Sequence, residues 1–101
     1  MHRLSLAAGL WLASFTAASA AGDAAAGGAL AERWCTGCHA AGAAGSDAAP
    51  PFIEVVRRPG RSDDYFYVWL TDPHPPMPKL DLSRQEIGNL IAYLRSLPGA
   101  K

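Results

Sequence analysis

The two cysteines of this 101-residue chain stand in the run Cys35-Thr36-Gly37-Cys38-His39. That spacing suits covalent attachment of haem. Two thiols add across the two vinyl groups, and the adjacent imidazole reaches the iron from the same side. Two other chemistries use paired cysteines. A thioredoxin-like dithiol follows a buried strand in a βαβ unit; Trp34 precedes Cys35 here, but the residues before it are Ala and Gly with a helical reading. A structural zinc site wants four ligands. Outside the N-terminal leader the chain offers only Cys35, Cys38, His39 and His74, and Cys38 and His39 are adjacent, an awkward geometry for one metal. Haem fits best, with the dithiol and zinc readings behind it.

Something must position that motif, and the composition limits what can. Nine Lys and Arg balance nine Asp and Glu, so there is no basic surplus for nucleic acid or for a polybasic membrane contact. Half of the residues are hydrophobic, but much of that is Ala, with only three each of Trp, Tyr and Phe. One small domain is the ceiling, and such domains usually need a disulfide, a metal or a large cofactor to fold well.

The N-terminus is set apart. Met1-His2-Arg3 is a short positive start, Leu4 to Ala18 is largely apolar, and Ala18-Ser19-Ala20 has the small-x-small form read by signal peptidase. Residues 1–20 are therefore expected to be a leader cleaved near Ala20, leaving one domain over 21–101. The apolar stretch is interrupted by Ser5, Ser14 and Thr16 and falls short of the ~20 residues of a spanning anchor. The processed chain carries one acid more than it has bases.

Within that domain Asp23 caps a helix over Ala24 to Trp34, in which Gly27 and Gly28 need a packing reason. Ala40 to Ala49 reads as a loop, and Phe52 to Val56 as either a turn of helix or an extended piece. Ser62 with Asp63 and Asp64 opens a helix carrying Phe66, Trp69 and Leu70 on one face and stopping at Asp72-Pro73. Pro73-His74-Pro75-Pro76-Met77-Pro78 holds four of the eight prolines and must be a stiff, extended loop. Ser83 and Glu86 form a capping box for a last helix, with Ile87, Leu90, Ile91, Leu94 and Leu97 on one face and a stop at Pro98-Gly99. No strand pattern or repeat is seen. The fold class is all-α, with about three to four helices, and a haem would give Phe52, Trp69, Leu70, Leu80, Leu90 and Leu94 a centre to pack around.

In this order of parts the chain resembles class I cytochrome c, from Gly22 to about Leu97. Its members share the Gly-Asp helix start, the attachment motif, a proline-led segment here at Pro50, an aromatic helix, a proline-flanked methionine and a terminal helix, here with Leu90-Ile91-Ala92-Tyr93-Leu94. The resemblance implies a cytochrome c fold around one haem c bound through Cys35 and Cys38. It places Gly27 under Tyr93 where the first and last helices cross. Ala31 stands at the family's first-helix aromatic, so the crossing leans on Trp34 or is lighter than usual. The short interval from His39 to Met77 suggests the compact bacterial type.

The resemblance further implies that His39 and Met77 are the two axial ligands. A thioether is soft and neutral and raises the reduction potential, and the prolines around Met77 restrict its loop before the metal arrives. His74 is the alternative sixth ligand; a five-coordinate, gas-binding iron stands further off. Pro50 corresponds to the proline whose carbonyl accepts the ring N–H of the proximal histidine. Arg58 corresponds to an arginine near a haem propionate, although Arg57 and Arg61 are also at hand. Trp69 aligns with a frequent tyrosine, and a tryptophan there could stack on the ring or donate its indole N–H.

The function implied is electron transfer rather than catalysis, since protein ligands on both faces keep substrate from the metal. The expected protein is a periplasmic, monomeric one-electron carrier with no nucleic-acid partner and no membrane insertion after cleavage. A donor dehydrogenase and an acceptor oxidase or reductase would dock transiently near Cys35, Met77 and Lys79. The alternative is a permanent haem subunit of a periplasmic dehydrogenase or reductase.

Overall fold

The computed structural model describes residues 9–11, 22–40 and 48–100. Apart from Gly9, Leu10 and Trp11, the leader expected over residues 1–20 lies outside these residues, as does most of the loop expected over Ala40 to Ala49. Four helices follow one another: α1 (Ala24–Trp34), α2 (Phe52–Arg57), α3 (Asp63–Thr71) and α4 (Arg84–Ser96). Among the described residues there is no strand. The all-α expectation holds.

Three helix starts are set by caps that the sequence displays. The Asp23 carboxylate accepts from the amides of Ala25 and Ala26 at 2.9 and 3.2 Å. The Ser62 hydroxyl accepts from the Tyr65 amide. At α4 the box is reciprocal, with the Glu86 amide donating to Ser83 Oγ and the Ser83 amide to Glu86 Oε1. Each such cap contributes about 1 kcal/mol. The ambiguous piece after Pro51 is helical. It has no side-chain cap; the Phe52 amide instead donates to the Ala40 carbonyl at 2.9 Å, drawing α2 back against the chain just beyond His39.

α1 and α4 make the principal packing contact, and α2 and α3 both lie against α4. The core is Ala31, Phe52, Val56, Phe66, Leu90 and Leu94. Leu70 packs on it, whereas Trp69 and Leu80 are half-buried outside this cluster.

The crossing differs in detail from expectation. A methyl group on Gly27 would run into the Asn89 carbonyl, so here one backbone lies directly on the other. It is Gly28 that lies under the aromatic, with its missing Cβ 3.1 Å from Tyr93 Cδ2. Nor does the crossing lean on Trp34, which is 55% exposed; Ala31, with no exposure, fills the contact. Trp34 follows Gly27 by seven positions and Ala31 by three, on the same side of α1, but it is the last residue of the helix and stays exposed. The Asp23 amide also donates to Asn89 Oδ1 at 2.8 Å, pinning the start of α1 to the middle of α4.

Candidate haem site

The attachment motif is the unwinding end of α1. Amides of Cys35 and Thr36 both donate to the Ala31 carbonyl, at 2.7 and 3.0 Å, and those of Cys38 and His39 to the Cys35 carbonyl, at 3.2 and 2.8 Å. Thr36 Oγ1 donates to the Glu32 carbonyl. Both sulfurs and the imidazole therefore belong to one tight turn, and no disulfide joins the two cysteines. Gly37, between them, faces open space. Cys35 packs against the core, and burial pushes its thiol pKa up. A nucleophilic thiol is favoured by the opposite shift, toward thiolate, so the burial of Cys35 weighs against the redox-pair reading. Among the described residues no group of three or more His, Cys, Asp or Glu side chains is gathered to hold a metal ion, as zinc would need.

His39 is half-buried, and its Nδ1 lies 2.8 Å from the Pro50 carbonyl oxygen. A carbonyl only accepts, so Nδ1 is the donor, and in the neutral ring Nε2 is the nitrogen with the free lone pair. The imidazole is also stacked on Phe52, with centroids 5.2 Å apart and planes within 14°. Phe52 in turn meets Tyr93 edge-on at 6.0 Å. The ring is thus held by a bond at one nitrogen and a flat contact on one face.

On the other side of the sequence, Met77 is half-buried within the proline loop, and its amide donates to the His74 carbonyl at 3.1 Å. His74 is exposed, with Nδ1 donating to the Pro75 carbonyl. Trp69 lies between Tyr65 and His74, at 6.2 and 6.1 Å between centroids.

The arginines separate clearly. Arg58 is exposed and paired with Glu54 at 2.7 Å, one turn back along the chain. Arg61 lies over the Tyr65 ring at 4.2 Å, and its Nε is buried without a hydrogen-bond partner. A buried orphan N–H is costly in a finished structure and suits an anionic group that arrives with a ligand. Sequence reasoning had no means to single out Arg61, and it missed the stacking of Phe52 on His39. The only hint of the latter was an aromatic two residues after Pro50. Beside the motif, Trp34, Leu80, Asp81, Leu82 and Glu86 line a shallow hollow.

Paired cysteine sulfurs on one turn, an imidazole with one nitrogen engaged and a buried unpaired arginine N–H make a donor set that fits haem. A helical fold whose first and last helices cross, carrying this motif, defines a cytochrome c. The chain belongs to the class I cytochrome c family, as a small monohaem member with one covalently attached haem c. Residues 22–94 match the family described as cytochrome C oxidase, cbb3-type, subunit III. Cytochrome c-552 of Bradyrhizobium diazoefficiens is 40% identical over 100 residues, covering 96% of each chain. Cytochrome c oxidase subunit 2 of Alkalihalophilus pseudofirmus is 35% identical over 80 residues, 65% of this chain and 23% of that protein. Among solved structures, cytochrome c6 from the diatom Phaeodactylum tricornutum superposes with a TM-score of 0.58 at 28% identity, over 72% of this chain and 91% of that one. Membership in this family supports electron transfer as the activity.

Proposed function

We propose that this protein is a periplasmic one-electron carrier whose haem iron is held between His39 Nε2 and the Met77 sulfur, with residues 1–20 removed during export. The observation that carries the reading is the His39–Pro50 hydrogen bond, which fixes the tautomer that leaves Nε2 as a donor. The haem supplies a one-electron couple; the chain supplies constant ligation and a surface. Cys35 and Cys38 fix the group covalently to a turn braced by α1. The prolines about Met77 limit the conformations its loop must give up on binding. Arg61, with its buried unpaired Nε, is the propionate donor ready at hand, while Arg58 must first leave Glu54. Trp69 walls the methionine side. No helix among the described residues is long and apolar enough to cross a membrane, in keeping with a carrier that docks transiently near Cys35, Met77 and Lys79.

A second reading, a haem domain held permanently in a larger periplasmic complex, draws on the subunit III description of the matched family. Co-purification with a second subunit at stoichiometric yield would favour it; elution of the exported protein as a lone monomer favours the carrier. The absorption spectrum of the oxidised, exported protein tests the ligands. Met77→Ala is expected to abolish the weak near-infrared sulfur-to-iron band, and an unchanged band removes Met77 from the role. N-terminal sequencing of the periplasmic protein is expected to begin at or near Ala21; an intact Met1 overturns the leader.

A further inference from the structure

Along one side of α3 and beyond its end, four groups stand in succession. The Arg61 guanidinium lies over Tyr65, Tyr65 meets Trp69, and Trp69 meets the His74 imidazole with planes tilted by 53°. Tyr65 and Trp69 share a helix face by their spacing of four. His74 lies beyond the helix, in the proline loop, and is tied at two points. Its ring touches α3 through Trp69, and its carbonyl accepts the amide of Met77. A third bond, from Nδ1 to the Pro75 carbonyl, holds the imidazole to its own backbone and so sets where the ring points.

We infer that Trp69 and His74 are positioning residues for Met77: their ring contact anchors the proline loop to α3 and sets how readily the thioether leaves the iron. This rests on the Met77 ligation proposed above, but concerns the rate of ligand loss, not the ligand's identity. For the sulfur to depart, the segment from Pro73 to Pro78 must swing away from α3. Four prolines stiffen that segment, so a restraint at His74 is felt three residues on at Met77, through the turn that joins them. The His74 ring is exposed and outside the core, so removing it should loosen the loop without unfolding the protein.

The test uses the oxidised, haem-loaded protein and saturating imidazole, which displaces the sulfur at a rate limited by its departure. Loss of the near-infrared band gives that rate. His74→Ala and Trp69→Leu are each expected to accelerate it about three- to tenfold, the loss of one aromatic contact. The double variant should be no faster than the faster single, because both remove the same contact. His74→Phe, which keeps a ring, should stay within about twofold of the parent, and His74→Ala should lower the folding equilibrium constant by no more than the same three- to tenfold factor, leaving the fold intact. Rates for His74→Ala within about twofold of the parent, or multiplying effects in the double variant, overturn the inference. Retention of the band in Met77→Ala is a different failure: it removes the ligand reading, and the clamp with it.

Discussion

The Nδ1 of His39 and the carbonyl oxygen of Pro50 lie 2.8 Å apart, although the two residues belong to different parts of the fold. His39 closes the turn that ends α1, and Pro50 leads into α2. What brings them together is the Phe52 amide bonding back to Ala40 and the Phe52 ring lying on His39. Phe52 is itself a core residue against α4. The orientation of one imidazole is thus underwritten by the main packing of the protein.

That bond should tune the iron. A carbonyl accepting from Nδ1 makes the imidazole a stronger donor, which favours the ferric state and lowers the potential. Pro50→Gly frees the backbone at this point and weakens the bond. The potential is expected to rise by about 20–50 mV, the equivalent of roughly one hydrogen bond at one electron. An equilibrium redox titration of the exported protein measures it; a fall in potential would contradict the assignment of donor and acceptor.

Removal of the sulfurs should be graded. Cys38→Ala leaves one thioether, from the sulfur of Cys35, and the haem is expected to remain attached after denaturing electrophoresis, with a shifted absorption maximum. Replacing Cys35 and Cys38 together should leave no peroxidase-stainable band, since nothing else covalent holds the group. Staining of the double variant at the parent's intensity would contradict attachment through these two residues.

The helix caps and the attachment motif were legible because each is a local arrangement of a few residues. Asp23, Ser62 and the Ser83–Glu86 box announce their helices, and all three appear where those residues place them. α2 was not legible: six residues with no capping side chain are helical because Phe52 and Val56 are buried. The rotation of α1 about its axis was also hidden. Gly27 and Gly28 are adjacent in sequence, and only the crossing shows that the first meets a backbone and the second a ring. Trp34 resembles a core residue by size and is exposed at the end of α1. Arg57, Arg58 and Arg61 could be ranked only once Glu54 and Tyr65 were seen beside them.

Those adjacent glycines should respond unequally to the same change. Alanine is the better helix former by about 1 kcal/mol at either position. At Gly27 the added methyl meets the Asn89 carbonyl and the Leu90 amide, backbone atoms that cannot yield without separating α1 from α4. Gly27→Ala is expected to cost about 2–4 kcal/mol net in denaturant unfolding. At Gly28 the methyl meets a half-exposed Tyr93 ring that can pivot, and Gly28→Ala should fall within about 1 kcal/mol of the parent. Equal losses at both sites would mean that the crossing is not the backbone contact described here.

The tie between α3 and α4 gives a test in which charge and packing separate. Arg95 Nε donates to Asp63 Oδ1 at 2.7 Å, while its terminal nitrogen donates to the Arg61 carbonyl and its guanidinium lies 5.3 Å from the centre of the Phe66 ring. Asp63 is largely exposed, so the ion pair itself is worth about 0–1 kcal/mol after solvent screening. The carboxylate adds a favourable interaction with the α3 N-terminus, of about 0.3–1 kcal/mol. Asp63→Asn should therefore cost about 1 kcal/mol at low salt, and less as salt is added. Arg95→Ala loses in addition the hydrogen bond to a half-buried carbonyl and the cover over Phe66, for about 1.5–3 kcal/mol that salt should barely change. If both variants lost the same stability and recovered alike in salt, the contact would be electrostatic only and Arg95 would contribute no packing.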